Sequence, residues 1–263
     1  EMSLSVHPLR QALLLPVRLC YNEPQRKKQN KEGICVEKVR LNKFLAQCGI
    51  CSRRDADKLI AEGRVTINGS IAGVGSQVGG TDSVAVDGRQ LQGREERVVL
   101  AYYKPFGVIC TERDKFAERI VTKEIGYPVR VTYAGRLDKE SEGLLLLSND
   151  GDLIQRMMKG SSGHEKEYVV KLRQELTDDF LKQMASGVYL HELERKTRPC
   201  RVEKVGKYTF RIILTQGMNR QIRRMCSELG MEVAALKRVR VMNITLGELK
   251  PGKYRKLEGE ELE

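Results

Sequence analysis

Residues 92–97 (QGREER) divide the chain into two stretches with different residue grammar, and any fold must respect that division. The hexapeptide is polar and carries a glycine, so it reads as a linker. Ahead of it lie two short helical patterns followed by strand-and-turn units. Behind it, strands dominate.

The first unit spans 39–91. Leu41, Phe44, Leu45 and Cys48 recur at helical spacing. Gly49 closes that helix, and Ser52 is placed to cap the next. The second helix, over about 53–62, carries Ala56, Leu59 and Ile60 on one face. Val65-Thr66-Ile67 then reads as a strand turned by Asn68-Gly69, and Val84-Ala85-Val86 with Asp87-Gly88 repeats the pattern. The second unit spans 98–257, with a short tail at 258–263. It opens on the apolar run VVLAYY. Further strands are predicted at 144–147, 168–172, 209–214 and 240–244, and helices at 151–158, 178–186 and 219–229. The expected class is α+β around a mostly antiparallel central sheet.

Residues 1–38 carry no such pattern. The segment 22–33 (NEPQRKKQNKEG) is polar and expected to be disordered. The apolar stretch before it has no small-residue cleavage site of the signal-peptide kind. The extension is read as disordered or as lying ahead of the natural start, with Val36 as a candidate start position.

The formal net charge of +12 calls for a polyanionic partner. No apolar run reaches the roughly 20 residues of a spanning helix, so no membrane partner is expected. Seven cysteines, an odd number at irregular spacing, do not form a disulfide framework. Cys48-x-x-Cys51 has no second pair to complete a zinc site, and small buried thiols are the simpler reading. A reduced, cytoplasmic protein is expected.

Two constellations carry chemistry. Asp138 lies in GRLDKESEGLLLLSNDG (135–151), just ahead of four leucines, in a loop framed by Gly135 and Gly143 and flanked by Arg136 and Lys139. A carboxylate among cations stays ionised and can act as nucleophile or base. The same residues also suit an ordinary surface loop with ion pairs. The second constellation is helical. Ile222, Met225, Cys226 and Leu229 form an apolar stripe, while Arg220, Arg223 and Arg224 cluster elsewhere on the helix. From Arg211 to Lys256 there are 11 basic and 3 acidic residues, an excess suited to a phosphate backbone.

With these residues in view, 39–91 resembles an S4 RNA-binding domain, with SRRDA, EGRV-x-I-NG and VDG in order. The resemblance implies structured RNA as partner and Arg53, Arg54 and Lys58 as contacts. The segment 135–151 resembles the catalytic segment of the RsuA/RluB/RluE/RluF group of pseudouridine synthases. KPFGV at 104–108, KEYVV at 166–170 and GMNRQIRRMC at 217–226 resemble that group's other motifs. LKRVRVMNI at 236–244 is closest to the RluF-like branch. Ser141 replaces a common threonine, and Asn219 a common histidine.

The resemblance implies isomerisation of a uridine in ribosomal RNA, expected to be 23S rRNA or its precursor, to pseudouridine. Asp138, Arg223 and Tyr168 are the expected catalytic residues, with Arg223 paired directly to Asp138. Arg136, Lys104, Arg220 and Arg224 join the expected RNA contacts. No metal or organic cofactor is implied, and a monomer is expected. The alternatives are a non-catalytic RNA-binding or ribosome-assembly protein, or a synthase acting on small-subunit rRNA or tRNA.

Overall fold

A computed structural model describes residues 38–91, 93, 95–111, 118–158 and 163–262. The expectations for residues 1–37, and for positions 92 and 94 of the linker, fall outside the described residues.

The first unit begins with α1 (Leu41–Gln47) and α2 (Arg53–Ala61). Ser52 caps α2, its hydroxyl accepting from the Asp55 N–H at 3.2 Å and donating to the Asp55 carboxylate at 2.6 Å. Strands β1 (Val65–Ile67), β2 (Ser70–Ile71), β3 (Val84–Val86) and β4 (Arg89–Gln90) form a small antiparallel sheet in the order β2-β1-β3-β4. The turns fall at Asn68-Gly69 and Asp87-Gly88, all four residues having positive φ, as a primed hairpin turn requires. Leu41, Leu45, Ala56, Ile60, Val65 and Val84 close a core of their own. An ion pair of 2.7 Å between Lys43 of α1 and Asp152 links this unit to the second. Both side chains are partly exposed, so the link contributes little, of order 0–1 kcal/mol.

The second unit is built on a nine-stranded sheet. Its strands are β5 (Val99–Lys104), β6 (Thr132–Ala134), β7 (Glu142–Ser148), β8 (Lys166–Leu172), β9 (Arg201–Gly206), β10 (Thr209–Leu214), β11 (Val233–Val241), β12 (Ile244–Thr245) and β13 (Tyr254–Lys256). The order is β9-β10-β8-β11-β7-β5-β13, with β6 on β7 and β12 on β11. Every pairing is antiparallel except β7 with β11 at the centre. The helices are α3 (Val121–Glu124), α4 (Gly151–Met158), α5 (Asp178–Ser186) and α6 (Gln221–Glu228).

The run of four leucines does not alternate with polar residues because β7 is covered on both faces. Leu144 and Leu146 join Val99, Ala101, Leu153 and Met157 on one side. Leu145 and Leu147 join Leu100, Tyr102, Val108 and Val121 on the other. Over β8 and β10, α5 and α6 close a further core around Phe180, Met184, Phe210, Ile222 and Met225. Tyr168 packs against this core and against the Leu145–Leu147 core, so it lies where the two meet.

The parallel junction brings Gly143 opposite Arg238. Gly143 has φ +107°, and a Cβ there would stand 2.2 Å from the Arg238 carbonyl oxygen. Both neighbours are sheet backbone, which cannot move aside. Gly143→Ala is therefore expected to destabilise the protein by about 3 kcal/mol or more, read as a lowered thermal midpoint in calorimetry. An unchanged midpoint would contradict this account of the junction.

Candidate active site

One row of residues crosses five adjacent strands. Lys104 stands opposite Gly143, Gly143 opposite Arg238, Arg238 opposite Tyr168, and Tyr168 opposite Ile212. Residues directly opposite across a sheet share a face. Because Gly143 contributes no side chain, the Arg238 backbone lies close against it, one residue beyond the loop that carries Asp138.

Asp138 is half-buried in that loop, and its carbonyl oxygen accepts from the Ser141 N–H at 3.0 Å. Cations from three different elements hold the backbone of the loop and of the strand it leads into. Lys104 of β5 donates through Nζ to the Ser141 carbonyl at 2.6 Å and to the Pro105 carbonyl at 2.9 Å. Arg223 of α6 donates through Nη2 to the Glu140 carbonyl at 2.6 Å. Arg238 of β11 donates through Nε to the Leu144 carbonyl at 2.7 Å. Hydrogen bonds from charged donors contribute roughly 1.5–3 kcal/mol each. Arg220 adds an ion pair of 2.7 Å to the Glu140 carboxylate.

Two sequence expectations need correction. Arg223 does not pair with Asp138: its guanidinium lies on the Glu140 carbonyl, two residues further along the loop. Asp138 acts on it through space, as it does on Arg220 and Lys104. Lys104 is not a phosphate contact, because it is fully buried and its donors are turned onto loop carbonyls. Arg224 is engaged within the protein, in an ion pair with Glu192 and hydrogen bonds to the carbonyl and side-chain oxygens of Asn219.

Arg220 lies beside the loop as expected, but bound to Glu140. Tyr168 is half-buried on the floor and Arg136 is exposed at the loop's start. In the first unit, Arg53 and Arg54 are exposed at the start of α2 and Lys58 stands 3.8 Å from Asp55. The first two line a cleft of about 360 Å³ between the two units, together with Lys43, Arg130 and Asp152. This cleft lies away from Asp138.

Sequence reasoning missed Arg238 and Glu140. Arg238 is 3% exposed. Its only signal in the sequence is an arginine within an apolar strand pattern, which periodicity alone reads as surface.

Burial sets the local electrostatics. It pushes the Arg223 guanidinium down, with Arg220 adding to the effect, yet an arginine stays charged at any working pH. The Glu140 carboxyl is held low by its hydrogen bond from Arg220. Burial pushes Lys104 down to about 8, opposed by Cys110, Asp138, Glu142 and Glu140. The site is therefore a half-buried carboxylate in a loop pinned by cations, one of which, Arg238, stands opposite a tyrosine at the meeting of two cores. Such an arrangement can hold a planar ring against Tyr168 and present an oriented carboxylate to it.

Residues 98–228 match the RNA pseudouridylate synthase family, and residues 39–84 match the S4 domain. A protein named dual-specificity RNA pseudouridine synthase RluF, from Salmonella typhi, is 43% identical over 226 residues, covering 85% of this chain and 77% of its own.

This chain belongs to the RNA pseudouridylate synthases.

It falls in the S4-bearing, RsuA-like group of that family and makes pseudouridine in RNA. Ribosomal large subunit pseudouridine synthase B of Bacillus subtilis is 37% identical, covering 83% of this synthase and 91% of its own chain. A solved structure, described as a pseudouridylate synthase, superposes with a TM-score of 0.63 at 29% identity, over 85% of this chain and 98% of its own. Among the described residues, no helix of the synthase is long and apolar enough to cross a membrane.

The buried lysine gives the synthase a pH dependence. As pH rises through about 8, Lys104 loses its proton and the loop loses a charged anchor, so kcat is expected to fall. Lys104→Met should remove that limb of the profile while lowering kcat throughout. For stability the sign is opposite. An unfolded lysine keeps its proton to about 10.4. The unfolded chain therefore binds more protons above about 8, and this group makes stability rise with pH up to about 10.4. A pH–kcat profile with no limb near 8 that Lys104→Met removes would refute the assignment.

Proposed function

We propose that this synthase isomerises a specific uridine of 23S ribosomal RNA to pseudouridine, with Asp138 as its catalytic carboxylate. The observation that carries the reading is the half-buried Asp138 in a loop held by cations from two strands and a helix, one of which, Arg238, stands opposite Tyr168 in the sheet. The target within rRNA is supported by relatives whose names specify the ribosomal large subunit.

The reaction breaks the bond from N1 of uracil to the ribose C1′ and forms one from C5 to the same carbon. C5 gives up a proton and N1 takes one up, so nothing is oxidised or reduced. A base stacked in a helix cannot turn over, so the nucleotide must leave the stack. Arg136, exposed at the start of the loop, suits the space the nucleotide leaves. Tyr168 faces the uracil ring. Asp138 is the group presented to the reacting nucleotide.

Arg223 serves as a positioning residue. Its hydrogen bond to the Glu140 carbonyl fixes the loop two residues from Asp138. Arg53, Arg54 and Lys58 bind RNA phosphates away from the reacting base. The term dual-specificity in the name of several relatives makes tRNA the second RNA to examine.

Mapping pseudouridine in total RNA from cells with and without the gene tests the substrate. Loss of one 23S rRNA site is expected, and an unchanged map would overturn the reading. Asp138→Asn should reduce pseudouridine formation to background while leaving RNA affinity intact, since the cationic surface is untouched. Arg223→Ala should lower kcat about 100-fold, the scale of a misplaced catalytic group. Arg224→Ala should cost less, because its partners are Glu192 and Asn219. An active Asp138→Asn enzyme would sink the mechanism.

A further inference from the structure

Phe106 is 63% exposed, the one exposed phenylalanine among the described residues. Phe180 and Phe210 are buried in the core over β8 and β10, and Phe44 packs against the core of the first unit. Leaving such a ring in water forgoes the roughly 1.5–3 kcal/mol that burial would provide. An isolated exposed apolar side chain is ordinary on a protein surface. What distinguishes Phe106 is where it sits and how it is held.

Phe106 occupies the turn after β5, and both ends of that turn are tied to the Asp138 loop. The Gly107 N–H donates to the Lys139 carbonyl at 2.8 Å, with Gly107 at φ +83°. On the other side of Phe106, the Pro105 carbonyl accepts from the buried Lys104, which also holds Ser141. The Tyr103 carbonyl, at the end of β5, accepts from the Gly252 N–H at 2.9 Å. The ring therefore projects from a fixed support whose hydrogen-bond partner is the residue next to Asp138.

Its surroundings are cationic. Lys139 and Arg136 of the same loop are exposed. The Arg119 guanidinium stands 3.9 Å from where a Cβ on Gly107 would lie, paired with the Glu124 carboxylate at 2.8 and 3.1 Å. An exposed aromatic ring on a fixed backbone beside Lys139 and Arg136 suits a nucleobase, whose face stacks on the ring while its phosphates meet those two charges. It does not suit an apolar protein surface, whose burial would strip water from Lys139 and Arg136 without pairing them.

We propose that Phe106 is a stacking platform for an unpaired nucleobase beside the reacting uridine. Flipping the uridine out of its stack breaks base contacts on each side. Phe106 would replace one of them and favour RNA whose neighbouring base is free to turn outward. The role makes Phe106 a substrate-selecting residue, and it rests on the function proposed above.

Two measurements separate this inference from that reading. The first uses a single-stranded RNA decamer carrying 2-aminopurine, whose fluorescence falls on stacking, and needs no catalysis. The wild-type protein should quench it on binding, Phe106→Trp should quench it as well, and Phe106→Ala should not. The second measures pseudouridine formation on rRNA from cells lacking the gene. There, Phe106→Ala should lower kcat/KM roughly five- to hundredfold, the range for loss of one base stack. Phe106→Tyr should keep most of it, and the thermal midpoint should not move because the ring is exposed. Equal quenching by wild type and Phe106→Ala, or an unchanged kcat/KM on rRNA, overturns the platform and leaves the proposed function standing. Absence of pseudouridine formation by wild type, with the difference in quenching intact, overturns the proposed function and leaves the platform standing.

Discussion

The structure depends on backbone carbonyls held by buried and half-buried cations. A loop that leaves regular structure must find partners for its oxygens, and burial makes that obligatory. Here Ser141, Glu140 and Leu144 receive their hydrogen bonds from Lys104, Arg223 and Arg238, each from a different element. Each cation would be costly to bury alone. Each loop oxygen would be costly to leave unpaired. Bringing them together settles both costs and places positive charge behind Asp138. The same contacts that stabilise the loop therefore set the electrostatics of the site.

Gly143 makes this possible. With no side chain in the row, β7 can lie against β11 while the loop rises from its end. The parallel pairing follows from the chain path: β7 and β11 are far apart in sequence, and β11 is the strand that joins the β8–β10 half to the β5–β7 half. Two separately covered half-sheets leave a seam, and Tyr168 sits in it.

Much of this was legible in the sequence because it is local. The Ser52 cap, the Asn68-Gly69 and Asp87-Gly88 turns, the apolar stripe of α6 and the four-leucine strand all depend on neighbours within a few residues. The α+β class and the mostly antiparallel sheet followed from the succession of these elements. What the sequence hid depends on distant register. A lysine beside a proline reads as exposed, yet Lys104 is buried because a loop 37 positions on supplies its acceptor. Arg223 was matched to Asp138 by charge, whereas hydrogen-bond geometry gave it a neutral carbonyl. No local rule marks Arg238 as interior, since its acceptor, Leu144, lies 94 positions away.

That separation bears on how the molecule is made. Within each half the pairs β5–β7 and β8–β10 join segments closer in sequence, but the β7–β11 seam joins segments most of the domain apart. Closing so long a loop costs entropy before any contact repays it, and such contacts form late. The Asp138 loop is therefore completed after both halves have folded. On the ribosome it waits until β11 has emerged, so a nascent chain whose first unit is already complete does not yet contain the finished site. The part of the chain that is made first is whole long before the part that carries Asp138.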